Sequence, residues 1–143
     1  MVNTDKDKGR PYSRVLDRLR AAGLRPTRQR LALAKLLFEG EDRHVTAEIL
    51  HAEAKAAAIR VSLATVYNTL HQFTNTGLLR EIVVDSQRSY FDTNMADHHH
   101  FFFEGSHRLQ DIPGDEVVVA RLPDPPAGQA VTRVDVVIRL QDQ

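Results

Sequence analysis

Ser62-Leu63-Ala64-Thr65-Val66-Tyr67-Asn68-Thr69-Leu70 decides how the rest of this 143-residue chain is read. Ser62 is an N-cap residue type, and Leu63, Val66, Leu70 and Phe73 follow the i, i+3, i+7 spacing of an amphipathic helix that Gly77 ends. Ser62, Ala64, Thr65, Asn68 and Thr69 leave that apolar stripe, so the helix presents small polar groups and one phenol, Tyr67, on its other face. Working outward, two β-rich runs at 78–84 and 89–92 flank Asp85-Ser86-Gln87-Arg88, which reads as a hairpin. Upstream, residues 12–22 carry Val15, Leu16 and Leu19 at helical spacing and stop at Gly23. Thr27 caps a second helix running through Leu31, Leu33, Leu36, Leu37 and Phe38 to Gly40, and Thr46 caps a third carrying Ala47, Ile49, Leu50 and Ala54. Helices followed by a short hairpin make a winged helix, a helix-turn-helix with a β wing.

Charge supports a polyanion partner for this half alone. The chain has 19 Lys and Arg against 19 Asp and Glu. Residues 1–92 nevertheless hold 15 basic against 11 acidic groups, a balance of +4, and residues 93–143 hold 4 against 8, a balance of −4. On the helix of residues 62–75, Ser62, Ala64, Thr65 and Asn68 suit a major groove, and Tyr67 suits a phosphate or a thymine methyl. Arg60 precedes them, Arg80 and Arg88 lie in the wing, and Arg14, Arg18, Arg20, Arg25, Arg28 and Arg30 lie on or between the opening helices. Such cations position a protein on phosphates rather than read bases. Any one of these arginines taken alone is a solvated surface charge; the set, with Arg20, Arg28 and Arg60 foremost, points to double-stranded DNA.

The second dense stretch is Asp97-His98-His99-His100-Phe101-Phe102-Phe103-Glu104, which holds three of the chain's seven histidines. In a strand, successive side chains point to opposite faces. His98, His100 and Phe102 then share one face and His99, Phe101 and Phe103 the other. The bland reading is a strand or turn of merely hydrogen-bonded histidines. The sharper one groups Asp92, His98, His100 and Asp111, spaced by six, two and eleven residues, with His44 upstream. Imidazoles and carboxylates suit Fe(II), Mn(II) or Zn(II). With no cysteine in the chain, disulfides and a structural thiolate zinc are excluded.

The expected organisation is therefore a flexible charged arm at 1–11, a winged-helix DNA-binding domain at 12–92, a hinge at 93–97, and a small α/β dimerisation and ligand-sensing domain at 98–143, an α+β fold overall. In the last part we expect strands at about 99–104 and 107–112, a short helix at 115–121, a Pro/Gly-rich loop at 123–128 and a strand at 131–140. About fifty residues make a small core, so a homodimer is expected to supply the missing burial. No apolar run approaches the roughly 18 residues of a transmembrane helix and the start lacks a signal-peptide core, so no membrane association and a cytoplasmic location are expected. No catalytic residues are expected: a hydrolytic enzyme on the same histidines would need a nucleophile-base pair or a phosphate loop, and neither accompanies them.

Three motifs carry a family resemblance across nearly the whole chain after the arm. Gly23-Leu24-Arg25-Pro26-Thr27-Arg28-Gln29-Arg30, the run Val61 through Leu70 and the histidine-rich strand resemble the ferric uptake regulator superfamily. Asp97 to Phe102, with Asp111-Ile112-Pro113-Gly114-Asp115, is most similar to its haem-sensing iron response regulator branch. The resemblance implies a dimeric winged-helix repressor of iron and haem genes acting on an AT-rich palindrome. It implies a metal site at His44, Asp92, His98, His100 and Asp111, the residue types familiar from the peroxide-sensing branch. It also implies haem as a possible ligand, held by His98, His99 or His100 beside Phe101 to Phe103, with His107 a candidate second ligand. The chain departs from the superfamily at Phe103 and Ser106, where the first cysteine pair of a structural zinc would fall, and near Val134, where many members carry a histidine.

Overall fold

The computed structural model describes residues 13–143; the arm expected at 1–11, with Tyr12, lies outside the described residues. The chain folds as two compact units, one ending at Met95 and the other spanning Ala96–Gln143. In the first unit, helices α1 (Ser13–Ala21), α2 (Arg28–Phe38), α3 (Ala47–Ala56) and α4 (Leu63–Asn75) precede strands β2 (Arg80–Asp85) and β3 (Arg88–Asp92). A two-residue strand, β1 (His44–Val45), lies between α2 and α3. The fold is α+β, with a winged-helix unit first.

The helices begin where local chemistry satisfies their first N–H groups. Thr27 accepts from the Arg30 N–H (3.2 Å), Thr46 from that of Ile49 (3.1 Å) and Ser62 from that of Thr65 (3.0 Å). Their apolar faces meet in one core containing Leu19, Leu33, Leu37, Leu50, Val66, Leu70 and Phe73, with Val45 and Phe91 from the small sheet. That sheet has the order β1-β3-β2, all antiparallel. Its wing turn is closed by Asp85, which accepts from the Gln87 N–H at 2.8 Å and pairs with Arg88 at 3.2 Å. Between α3 and α4, Ala58 holds φ +59° while the Ile59 N–H bonds back to the Ala54 carbonyl at 2.8 Å. This is a Schellman cap built on alanine where glycine is usual.

The second unit holds β4 (His98–Phe103), β5 (Arg108–Pro113), a 3-10 turn (Gly114–Glu116) and β6 (Val137–Leu140). Strand β4 is central, antiparallel to β5 and parallel to β6. Two expectations need correction here. The helix expected at 115–121 is confined to the 3-10 turn, and Val117 already has extended backbone. Val117-Val118-Val119 is a β-branched run that loses rotamer freedom in a helix, and Pro123 follows closely. The strand expected at 131–140 forms only over Val137–Leu140. The parallel ladder begins at His100↔Val137, leaving just His98 and His99 of β4 ahead of it, so residues 131–135 find no ladder.

Candidate functional site

Alternation along β4 buries His98, His100 and Phe102 and leaves His99, Phe101 and Phe103 half-buried, as a period of two requires. Antiparallel register sets His100 directly opposite Asp111 of β5. Asp111 Oδ1 lies 3.3 Å from His100 Nε2 and 3.6 Å from His98 Nε2, and the two imidazole centroids are 4.6 Å apart. One ligand atom from each of the three residues falls within 4.8 Å of the others.

The donor chemistry fits a divalent ion. His98 Nδ1 lies 2.5 Å from the Ala96 carbonyl, which can only accept. Nδ1 therefore carries a proton, and in the neutral ring Nε2 turns its lone pair toward the Asp111 carboxylate. A backbone carbonyl fixing one ring nitrogen while the other is presented to a carboxylate is the arrangement that orients metal-ligating histidines. Two nearly fully buried imidazoles beside a half-exposed carboxylate leave a way in from solvent.

His99 is engaged otherwise. Its Nδ1 accepts from the Val136 N–H at 3.1 Å, tying β4 to the residue before β6. In the neutral ring the proton then sits on Nε2. His107, at φ +57°, stacks on the Phe102 ring with centroids 6.0 Å apart.

The remaining two expected ligands belong to the first unit, which brings them side by side. Strand β1 pairs with β3 so that His44 stands opposite Asp92. Asp92 is buried and accepts from the Asn94 N–H at 2.9 Å. The neighbouring residues clamp this corner: Arg43 makes a two-pronged ion pair with Glu53 of α3 (2.9 and 2.6 Å), and its N–H donates to Thr93 Oγ1 at 2.8 Å. Sequence reasoning missed both strand β1 and the Arg43–Glu53 pair. Two residues carry no periodicity, and an ion pair ten residues apart across a turn has no local signature.

On α4, the helix expected to meet DNA, Ala64, Tyr67 and Asn68 are exposed and Thr65 is half-buried. Thr69, expected on the polar face, is instead buried at 5% exposure and donates its hydroxyl to the Thr65 carbonyl. The Ser62 hydroxyl caps the helix and bonds Thr65 Oγ1 at 2.9 Å, so its first role is structural. Arg20, Arg28 and Arg60 are exposed. Arg80, expected in the wing among the phosphate contacts, is buried, and Arg30 is spent on Gln72 and the Arg25 carbonyl. The Tyr67 hydroxyl donates to Glu48 Oε1 at 2.8 Å, and that bond to a carboxylate raises its pKa above the ordinary value of 10.0.

A family model described as the ferric uptake regulator family matches residues 21–121. The chain belongs to that family. Among family relatives it is 32% identical over 94 residues to the peroxide-responsive repressor PerR of Staphylococcus epidermidis, an alignment covering 66% of this chain and 62% of the repressor, so the match spans less than two-thirds of that relative's length. Among solved structures it resembles a ferric uptake regulator from Pseudomonas aeruginosa determined with manganese, at a TM-score of 0.68 and 25% identity over 89% of this chain and 96% of the other. The ferric uptake regulator of Vibrio cholerae superposes equally well, at a TM-score of 0.68 and 20% identity over 88% of this chain and 98% of that one, which attests the fold.

Proposed function

We propose that this chain is a metal-responsive transcriptional regulator that binds palindromic double-stranded DNA as a homodimer in the cytoplasm, with α4 in the major groove. The observation that carries the reading is the pair of buried His98 and His100 Nε2 nitrogens converging on the Asp111 carboxylate, within a family whose solved members include one determined with manganese. His44 and Asp92 complete the ligand set in this proposal. Their pairing across β1 and β3 and the shortness of the connector, 93–97, between Asp92 and His98 support including them. A bound Fe(II), Mn(II) or Zn(II) would supply the fixed positive charge that imidazole and carboxylate donors favour. The protein's own contribution is to hold those donors: Ala96 fixes the tautomer of His98, β5 sets Asp111 against His100, and Arg43 with Thr93 holds the His44–Asp92 corner. Ligation by residues on both sides of 93–97 would restrict the connector and with it the spacing of two recognition helices, and a two-fold dimer fits two half-sites at one spacing only.

Haem, the expectation from the iron response regulator branch, has the histidine run in its favour and nothing beyond it. His98 and His100 face a carboxylate, and His99 Nδ1 is taken by the Val136 N–H. The similarity to a peroxide-responsive repressor favours, as a second reading, a peroxide response at the same residues.

The test uses the untagged full chain. Metal content by elemental analysis should show about one divalent ion bound per chain at the His/Asp donor set, and His100→Ala or Asp111→Ala should lose it together with metal-dependent DNA binding. A metal response unchanged in both variants would sink the proposal. Exposing the Fe(II)-loaded and Mn(II)-loaded proteins to peroxide separates the second reading: loss of DNA binding with an added oxygen on the peptide containing His98 to His100, in the Fe(II) sample alone, would establish it.

A further inference from the structure

Tyr67 is a large side chain on the exposed face of α4, and three features fix its ring. It grows from the rigid backbone of the helix, its hydroxyl donates to Glu48 in the first turn of α3 at 2.8 Å, and His71 one turn later stacks on it with centroids 6.4 Å apart and planes 19° apart. Tyr67 keeps 37% of its surface exposed. A phenol that has given its only proton to a carboxylate has none left for a phosphate oxygen. The ionised Glu48 beside it also repels phosphate, so the backbone of a nucleic acid is a poor partner for this corner. What the tethered ring still offers is its apolar carbon edge, and the base-edge group in the major groove that an apolar surface can select is the thymine methyl.

We propose that Glu48 is a positioning residue for recognition: it holds Tyr67 so that the ring reads a thymine methyl by apolar contact and its hydroxyl is kept off the phosphates. The inference rests on the DNA-binding reading given above. It assigns a function to an acidic residue that net charge alone would count against DNA binding. It also decides between the two partners, phosphate and thymine methyl, that the sequence leaves open for Tyr67.

The experiment enriches a bound duplex from a randomised pool with the Mn(II)-loaded full-length protein, then replaces each thymine singly by deoxyuridine, which removes only the methyl. Wild type should lose about fourfold in affinity, the worth of one buried methyl-sized group, at one thymine in each half-site. Glu48→Gln retains an oxygen that accepts from the hydroxyl and should keep that dependence. Glu48→Ala should abolish it, and Tyr67→Phe, which keeps the ring without its tether, should weaken it while leaving the salt dependence of binding unchanged. Because each readout is a ratio between two duplexes on the same variant, partial misfolding cancels. Thymine dependence that persists in Glu48→Ala overturns the inference. So does a Tyr67→Phe variant that binds every duplex equally more weakly with a smaller salt slope, which would mean that the hydroxyl contacts a phosphate. A pool that yields no bound duplex overturns this inference and the DNA reading together.

Discussion

The two units of the chain solve the problem of burial differently. Fourteen buried apolar side chains, from Val15 to Phe91, form one continuous core in the first unit. In the second, the buried apolar side chains among the described residues are three, Phe102, Leu109 and Ile112, while Val118, Val119, Leu122 and Val131 stay exposed, Val118 at 82%. A unit of under fifty residues with so little interior is below the size that usually stands alone. Its exposed apolar residues are concentrated in the extended run after the 3-10 turn rather than scattered singly, which marks a surface for association. The first unit thus has a self-sufficient core, and the second fits the proposal that a second copy would complete its core. This division suits the proposed regulator: a part that meets DNA would have to keep its shape, while a part that pairs the chains would fix the distance between two such units.

The comparison can be broken at either end. Phe73 is fully buried in the first core, so Phe73→Ala should cost about 3–5 kcal/mol in denaturant unfolding and make the recognition helix sensitive to proteolysis. If Leu109→Ala, made in dilute protein, cost as much, the second unit would own an independent core and the contrast would fail. Next in size, Leu122→Asp should raise the dimer dissociation constant about 10- to 100-fold, the loss of one buried leucine, as measured by sedimentation. The unfolding of the first unit should be unaffected, and a dimer indifferent to this charge would move the interface elsewhere. The smallest effect sharpens the picture of the helix-turn-helix. Ala58→Gly relieves a left-handed alanine and should stabilise the first unit by about 0.5–1 kcal/mol, read as a higher thermal midpoint.

What was legible in the sequence follows from the range of the interactions involved. Capping acts over three residues, so Thr27, Thr46 and Ser62 announced their helices without help from the rest of the chain. Strand alternation acts over two, so the division of His98 and His100 from His99 was readable from the run itself. Asp92, His98, His100 and Asp111 could be grouped by counting, with His44 upstream, but no local rule joins residues 48 positions apart, so the family resemblance was needed to make the five one site. The misreadings also have physical causes. The helix expected at 115–121 ran into the β-branched Val117, Val118 and Val119, and alternation at 131–135 had no strand beside it. Thr69 looked polar by residue type yet is buried, because its hydroxyl satisfies itself on the helix one turn back.

By itself, then, the sequence determined the order of helices and wing, their caps, the partition of charge between the two halves, and the alternating faces of the histidine strand. Tertiary structure alone decided that His44 stands opposite Asp92 through a strand of two residues, that Asp111 faces His100, that Arg43 is held by Glu53, and that the Tyr67 hydroxyl belongs to Glu48. The first set depends on neighbours within a turn or a pleat, where backbone geometry fixes who meets whom. The second depends on strand register and helix packing, which bring together residues whose separation in sequence, from 10 for Arg43 and Glu53 to 48 for His44 and Asp92, leaves no trace in local pattern.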